Sequence, residues 1–331
     1  MKSFAYVSAP TEADAVKLLG EKAVALAGGT SLLNLMKDYV LQPDVVVNIK
    51  TVAGTNAIEG DAEKGFRIGA NVTLAEVVEN AALRASYPAL VQALWDAGTP
   101  QIRNQGTLGG NLCCRPPCWY YRQEAFHCRK KGGPDCPAEG GENEYLAILG
   151  HDGMKCHAVH ASSAAPALVV YDAKVRIAGP AAPREIPVEE FFVAPDAAHV
   201  GVENVLKPNE IVTHVILPPT RSRSASYEVR QKESHDWPLA IASVALNMAD
   251  GTCASARICL GAVAPIPWRA KEAEAALQGK KITEETAAAA AAQAVAAAKP
   301  MEKNRYKVKI TQTAVKRAIL AAAGLPLPRR V

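Results

Sequence analysis

Apolar residues near the start of the chain recur with two spacings, one typical of helices and the other of buried strands. The helical spacing begins behind Thr11, a residue type that caps helix N-termini, and the strand runs are short and apolar. The predicted elements are helices at 11–19 and 32–39 and strands at 24–27 and 45–49. This alternation of strand and helix predicts a small α/β subdomain over residues 1–58.

From about residue 59 the pattern becomes that of a larger α+β unit. The predicted elements are strands at 66–69, 167–171, 174–177 and 211–216 and a capped helix at 73–83. The last strand runs into Pro218-Pro219 and then into a wholly polar stretch, as a linker between domains does. We therefore expect a second subdomain over residues 59–220 and a separate domain over residues 221–331.

The C-terminal region has the pattern of another α+β domain. Its predicted elements are strands at 239–248 and 256–263, an alanine-rich helix at 286–299 and a final helix at 311–323. The alanine-rich helix is the most apolar-looking run of the chain, yet it is too short and too weakly hydrophobic to span a bilayer. We expect no membrane span.

Composition and charge narrow the classes of function. With 331 residues, of which 49% are hydrophobic, the chain is long enough to bury a sizeable core. Its 37 Lys and Arg and 33 Asp and Glu are well mixed and leave a net charge of +4, so no basic stripe indicates nucleic-acid binding. The N-terminus lacks the apolar stretch of a secretory signal, so we expect a cytoplasmic protein, or a periplasmic one if it is exported with a partner that carries the signal.

Cysteine is strongly clustered along the chain. Of the eight cysteines, Cys253 and Cys259 lie in or beside a strand pattern and are interpreted as core thiols. The other six all fall within residues 113–156, and they are Cys113, Cys114, Cys118, Cys128, Cys136 and Cys156. In a reducing compartment such a set indicates metal or cluster ligation before disulfides, although free thiols remain an alternative. No C-x2-C zinc knuckle is present, and His157 and His160 are interpreted as hydrogen-bonding or packing residues.

Two loops combine glycines with hydroxyl side chains. Residues 27–31 (AGGTS) join a predicted strand to a predicted helix, and residues 106–111 (GTLGGN) form the second loop. Glycine lets backbone N–H groups approach a phosphate closely, and a helix N-terminus adds a favourable dipole. Two such loops could hold the two phosphates of a dinucleotide. Neither matches the G-x-G-x-x-G fingerprint, however, and each is also consistent with a simple tight turn.

Three strings in a fixed order carry a resemblance to a known family: AGGTSLL at 27–33, IRNQGTLGGNL at 102–112 and GAVAPIPWRA at 261–270. They resemble the FAD-binding (medium) subunit of the xanthine dehydrogenase and aldehyde oxidoreductase family of molybdenum hydroxylases. The resemblance implies an α+β fold, with a two-subdomain FAD-binding domain of the PCMH, or vanillyl-alcohol-oxidase-like, type. A C-terminal α+β domain similar to that of the carbon monoxide dehydrogenase flavoprotein would follow it.

The resemblance also implies that FAD is the cofactor and that the two loops hold its pyrophosphate. Trp237 is expected near the isoalloxazine ring, and so is Lys232, because relatives often place a lysine where this chain has Glu228. The implied cofactor-binding residues are Leu26, Ala27, Gly28, Gly29, Thr30, Ser31, Leu32, Leu33, Ile102, Thr107, Gly109, Gly110, Asn111, Ser163, Lys232 and Trp237.

A subset of the family, similar to the 4-hydroxybenzoyl-CoA reductase beta subunit and the periplasmic aldehyde oxidoreductase, carries an extra 4Fe-4S cluster in an insertion at this place. The resemblance implies that the insertion covers residues 113–156 and that the ligands are Cys118, Cys128, Cys136 and Cys156. Cys113 and Cys114 are close enough in sequence to compete with Cys118.

The implied function is that of an electron-transfer subunit. It would move electrons between partner subunits, a molybdenum cofactor-binding large subunit and a 2Fe-2S small subunit, and an external acceptor or donor such as NAD, ferredoxin or quinone. We expect no catalytic residue in this chain, because the cofactors carry the chemistry. Two alternatives stay open: a self-contained flavin-dependent oxidase or reductase, and a zinc-stabilised binding module.

Overall fold

The computed structural model describes residues 1–327. Its N-terminal unit contains β1 (Ala5–Ser8), α1 (Glu12–Leu18), β2 (Ala23–Leu26), α2 (Leu32–Lys37) and β3 (Val45–Asn48). The strands form a parallel sheet in the order β1–β3–β2, and Val46 and Val47 of the central strand are fully buried. Thr11 caps α1 by accepting a hydrogen bond from the Asp14 amide, as its sequence position predicts.

The middle unit is a five-stranded antiparallel sheet that packs against helices. Its strands are β4 (Ile58–Asp61), β5 (Gly65–Gly69), β6 (Lys174–Ala178), β7 (Arg184–Pro187) and β8 (Ile211–Leu217), in the order β4–β5–β8–β6–β7. Its helices are α3 (Leu74–Glu79), α4 (Ala81–Ser86), α5 (Pro88–Trp95), α6 (Pro100–Gln105), α7 (Leu108–Leu112), α8 (Trp119–Arg122), α9 (Ala164–Val170) and α10 (Val188–Phe191), with 3-10 turns at Arg129–Lys131 and Pro137–Glu139. Leu90, Leu168 and Val215 are fully buried in the core of this unit.

The C-terminal unit packs helices against a second antiparallel sheet. The sheet contains β9 (Arg223–Val229), β10 (Ala240–Ala249), β11 (Thr252–Gly261) and β12 (Trp268–Arg269), in the order β12–β11–β10–β9. The helices are α11 (Lys271–Leu277), α12 (Glu284–Ala294) and α13 (Tyr306–Ala322). The alanine-rich α12 packs against α11 and α13, and its buried residues, which share one face, are Ala287, Ala290, Ala291 and Ala294.

Two elements differ from the sequence prediction in kind or continuity, and the bounds of α12 and α13 differ from those of the helices predicted at 286–299 and 311–323. Residues 167–171, predicted as a strand, belong mostly to helix α9, in which every residue is buried. A short helix that is buried all round leaves no apolar periodicity to distinguish it from a strand. The helix predicted at 73–83 ends at Asn80, whose side chain accepts a hydrogen bond from the Leu83 amide and so caps the separate helix α4.

Ion pairs and hydrogen bonds join the three units. Arg176 on β6 pairs with Glu12 at the start of α1, with Nη1 and Oε1 2.6 Å apart. Arg230, which follows β9, pairs with Asp96 at the end of α5 at 3.2 Å. Lys307 of α13 is fully buried and donates hydrogen bonds to three backbone carbonyls, two of which belong to the segment that follows the cysteines at 113–136. Within residues 1–327, no helix combines the length and apolarity needed to cross a membrane.

Candidate cofactor site

The first glycine-rich turn connects β2 to α2 and lines a deep cleft. Gly28 has no room for a side chain, because an added Cβ would lie 1.9 Å from the carbonyl oxygen of Gln105. Gly29 has a φ of 76°, which favours glycine. The Ser31 hydroxyl in the same turn is buried without a hydrogen-bond partner. The turn therefore places glycine backbone and an unsatisfied hydroxyl at the cleft wall, a combination suited to an anionic group.

The second glycine-rich loop lies directly beside the first. Thr107 caps α7 by accepting a hydrogen bond from the Gly110 amide at 3.1 Å, and an added Cβ on Gly109 would lie 2.7 Å from the Cβ of Ala70. The side-chain oxygen of Asn111 accepts from the Ser162 hydroxyl at 2.7 Å, and this bond ties α7 to the segment that leads into α9. The loop is thus held close to its neighbours on both sides.

The cleft has walls from all three units and a cavity volume of about 690 Å³. Typical small-molecule sites measure ~300–1,000 Å³, so the cleft has the size of a site for a large organic cofactor. The predicted cofactor residues that line it are Ala27, Gly28, Gly29, Thr30, Ser31, Leu32, Ile102, Thr107, Gly109, Gly110, Asn111, Ser163 and Trp237. Leu26 and Leu33 instead pack their methyl groups against the turn at Gly29, and Lys232 is an exposed residue that does not line the cleft.

Acidic groups gather where the cleft meets β9. Asp96, Glu228 and Asp236 line this part, and Arg230 pairs with both Asp96 and Glu228. Burial raises the pKa of Asp96, an effect that the neighbouring arginines oppose. Burial also raises the pKa of Glu228, to about 8. No sequence pattern singles out Asp96 or Asp236, and the position of Glu228 enters the sequence analysis only as the place where relatives often have a lysine. Glu228 and Asp236 become neighbours of the loops through the packing of the C-terminal unit, whereas Asp96 belongs to the middle unit.

Trp237 and Arg122 close one side of the cleft. The Arg122 guanidinium carbon lies 5.2 Å from the centre of the Trp237 ring, which is within the range of a cation–π contact. Arg122 belongs to α8 in the cysteine-rich segment, whereas Trp237 belongs to the loop between β9 and β10. This contact therefore joins the cysteine-rich segment to the C-terminal unit across the cleft.

Four cysteines that are distant in sequence line one small pocket. They are Cys118, Cys128, Cys136 and Cys156. Cys128 and Cys156 are buried and the other two are partly buried, and all four are free thiols. Burial raises the pKa of the Cys118 thiol to about 12, while the Lys130 ammonium acts to lower the pKa of Cys156. The four residues predicted as metal ligands are thus brought together in this structure.

Cys113 and Cys114 occupy a different place. Both line the large cleft, and neither lines the four-cysteine pocket. Cys114 also shares a second small pocket with Cys156, so it lies between the cleft and the four-cysteine pocket. The structure therefore separates these two cysteines from Cys118, which the sequence spacing alone does not do.

The two histidines beside the fourth cysteine make hydrogen bonds. His157 lies 2.8 Å from His151 through their Nδ1 atoms and 3.3 Å from Glu139 through Nε2. His160 is buried, accepts from the Ser162 amide and packs edge-on against Phe192. The ligating atoms of Cys136, Glu139 and His157 all lie within 4.8 Å of one another.

Known proteins of the same fold share both parts of the chain. Residues 2–220 match the family described as FAD binding domain in molybdopterin dehydrogenase, and residues 225–322 match the CO dehydrogenase flavoprotein C-terminal domain. The chain is 33% identical over 316 residues to the aldehyde oxidoreductase FAD-binding subunit PaoB of Escherichia coli (strain K12), covering 93% of this chain and 94% of the relative. It is 28% identical over 329 residues to the carbon monoxide dehydrogenase medium chain of Hydrogenophaga pseudoflava, covering 96% of each.

A solved structure shows the same architecture over nearly the whole chain. It is that of carbon monoxide dehydrogenase from Hydrogenophaga pseudoflava lacking the Mo-pyranopterin moiety of the molybdenum cofactor. The TM-score is 0.76 at 26% sequence identity, and the alignment covers 97% of both chains.

The fold, with its cleft between two glycine-rich loops and a C-terminal α+β unit, defines a flavin-binding oxidoreductase subunit. The chain belongs to the family of FAD-binding medium subunits of the xanthine dehydrogenase and carbon monoxide dehydrogenase type, which are components of molybdenum hydroxylases. The predicted fold class is confirmed, and so is the prediction of an FAD-binding oxidoreductase subunit.

Proposed function

We propose that this subunit holds FAD in the cleft and a 4Fe-4S cluster in the four-cysteine pocket, and that it passes electrons between them and its partners. The observation that carries the proposal is the adjacency of the two sites. Cys114 lines the cleft and also shares a small pocket with Cys156, one of the four clustered cysteines. Two redox groups held in this way would be neighbours inside one subunit.

The cleft fits FAD in its polar groups as well as in its size. The buried, unpartnered hydroxyl of Ser31 and the close-packed glycines of both loops suit the pyrophosphate. FAD, when bound, supplies the exchange between two-electron and one-electron chemistry. The chain's own residues would hold and orient it, with Arg122 and Trp237 in contact at one side of the cleft.

The four-cysteine pocket fits a cluster better than a single zinc ion bound by cysteines. A tetrahedral zinc site with Zn–S bonds of ~2.3 Å holds its sulfurs less than ~4 Å apart. Within residues 1–327, no three of these sulfurs approach within 4.8 Å of one another. A 4Fe-4S cluster binds each thiolate through a different iron and so needs a wider arrangement.

A buried cation next to the pocket supports the same assignment. The side chain of Lys130 is only 5% exposed, lines the pocket and pairs with Glu203 at 2.7 Å. Positive charge beside the thiols favours their ligating thiolate form. The pocket thus combines four thiols with a fixed ammonium group.

The partners follow from the named relatives. Those proteins are called FAD-binding subunit or medium chain, names that describe components of larger enzymes. We propose that this chain likewise joins a molybdenum cofactor-binding large subunit and a 2Fe-2S small subunit, with NAD, ferredoxin or a quinone as the external acceptor or donor. We assign no catalytic residue in the chain itself.

Metal analysis and visible absorbance of the purified complex test the cluster. Replacing Cys136 by Ser should remove about four iron and four sulfide per chain while FAD stays bound. The wild-type and variant complexes both contain the 2Fe-2S clusters of the small subunit, so the difference in iron content between the two complexes measures the additional cluster alone. Cys253→Ser is the matched control, because Cys253 is equally a free thiol but is buried in the core of the C-terminal unit. Full iron content in the Cys136 variant would exclude Cys136 as a cluster ligand, and a wild-type complex without the four additional irons would exclude the cluster.

One observation favours a second candidate, a zinc site. Cys136, Glu139 and His157 place their ligating atoms within 4.8 Å of one another, which a mononuclear site requires. In that case the same preparation would contain about one zinc per chain and no additional iron. Glu139→Gln would then lower the zinc content, whereas it would leave a four-cysteine iron cluster in place.

A further inference from the structure

Glu228 is a buried carboxyl group in the wall of the cleft. Its side chain is 4% exposed, and one oxygen, Oε1, lies 3.3 Å from Nε of Arg230. The other oxygen, Oε2, is buried and has no hydrogen-bond partner within the protein. A buried polar atom without a partner is costly, so it indicates either a missing ligand contact or a protonated carboxyl group.

The groups around Glu228 do not compensate a full negative charge. Arg230, on the same segment of chain, is shared with Asp96, to whose backbone and side-chain oxygens it also donates. Asp96 at the end of α5 and Asp236 in the β9–β10 loop add negative charge near Glu228. The charge of Arg103 of α6 acts to lower the pKa of Asp96. Burial raises the pKa of Glu228 to about 8, and the two aspartates act in the same direction. Near neutral pH Glu228 therefore carries a proton and is a hydrogen-bond donor.

The charge distribution also indicates which part of FAD lies next to Glu228. The carboxylates of Asp96 and Asp236 at this side of the cleft disfavour a pyrophosphate, whereas the glycine loops and the unpartnered Ser31 hydroxyl accommodate one. The isoalloxazine ring carries no charge when it is oxidised and offers hydrogen-bond acceptors. It is therefore the part of the cofactor that suits the acidic side.

We propose that Glu228 hydrogen-bonds to the isoalloxazine ring and couples the flavin's reduction to proton uptake. The inference rests on the proposed placement of FAD in the cleft. Two electrons that enter the ring from a reduced partner cluster increase its negative charge, and this charge disfavours an ionised carboxylate beside it. In the pH range where Glu228 is ionised next to oxidised flavin, each two-electron reduction then binds one extra proton from water to the Glu228 carboxylate. No covalent bond to the chain forms or breaks.

Redox titration of the assembled complex, followed by flavin absorbance from about pH 6 to about pH 10, tests the proposal. In the wild type, at pH values above the pKa of Glu228 beside oxidised flavin, the reduction potential of the flavin should fall by an additional amount of about 30 mV per pH unit. This slope corresponds to a tenfold change per pH unit in the equilibrium constant of a two-electron couple. Glu228→Gln keeps the size and the donor but cannot ionise, so the additional slope should disappear. Its potential should match the wild type at low pH and exceed it at high pH.

Two further variants control the experiment. Glu274→Gln removes a carboxyl group that pairs with Arg269 away from the cleft, and it should keep the wild-type slope. Asp96→Asn removes one acidic neighbour of Glu228 and frees Arg230 for it, so the additional slope should begin at lower pH. An unchanged slope in Glu228→Gln, or no additional slope in the wild type, would overturn the proposal.

Flavin content separates this proposal from the placement of FAD. If Glu228→Gln binds FAD fully and titrates like the wild type, the role of Glu228 is rejected and the cleft remains the site. If substitutions in the glycine loops also leave FAD affinity unchanged, the cleft itself is rejected.

Discussion

Replacing Gly28 by alanine tests the cleft as the FAD site most directly. The new Cβ would lie 1.9 Å from the carbonyl oxygen of Gln105 and 2.7 Å from its carbon. Ordinary contacts between such atoms are about 3.5 Å, so the two loops must separate by roughly 1.5 Å. The obstacle is backbone rather than a flexible side chain, and no rotamer change can relieve it.

The expected effect is a large loss of affinity with little loss of structure. Both loops line the proposed phosphate side of the cleft, and the loss of a hydrogen bond to a charged group costs about 1.5 to 3 kcal/mol. We expect the FAD Kd to rise about 100-fold, which corresponds to about 2.7 kcal/mol. Titration of FAD into deflavinated protein, followed by flavin fluorescence, measures this change.

Gly20→Ala is the matched control for this experiment. Gly20 lies in the same N-terminal unit, and an added Cβ there meets nothing within 4 Å. The control should bind FAD like the wild type, and iron content should be unchanged in both variants. If Gly28→Ala binds FAD within about threefold of the wild type, the proposed role of the loops is wrong.

Two further predictions concern stability. Lys307→Met leaves the carbonyls of Tyr145 and Ala262 without the Lys307 donor, while that of Leu146 still accepts from Asn304, and it should lower the free energy of unfolding by about 3 to 5 kcal/mol. Lys309→Met, on the exposed face of the same helix, should change it by less than about 0.5 kcal/mol, and equal denaturant midpoints for the two variants would contradict the prediction. Glu210 lines the cleft and accepts hydrogen bonds from Arg184 on both oxygens, which lower its pKa below the unfolded value of about 4.3. The contribution of the Glu210 carboxylate to stability is therefore fully present above pH ~4.3 and is lost as the pH falls through the pKa of Glu210 in the folded state. The difference in free energy of unfolding between wild type and Glu210→Gln should vanish on acidification. A difference in urea midpoints that does not change with pH would refute this prediction.

Features with a local physical cause could be read from the sequence. Thr11 caps α1 where the pattern predicts it, and the alanines of α12 that share one helical face are the buried ones. The glycine-rich turns lie where a strand meets a helix and where α7 begins. In each case the information lies within a few residues, because capping, periodicity and backbone freedom act over one or two turns of chain.

Local patterns were insufficient where burial is uniform or where two local preferences compete. Residues 164–170 form a helix that is buried all round, so their apolar run has no period to read. Asn80 lies within one helical pattern, yet its side chain starts a second helix.

Only the tertiary structure decides which residues face the cofactor cleft and in what state of charge. Asp96, Glu228 and Asp236 come from separate elements, and the pKa of Glu228 is raised first by burial and then by the charges of the two aspartates. Similarly, the spacing of six cysteines could not assign them, whereas folding directs four to one pocket and leaves Cys113 and Cys114 at the cleft. Desolvation and ligand geometry depend on neighbours distant in sequence, and the packing of the three units supplies those neighbours.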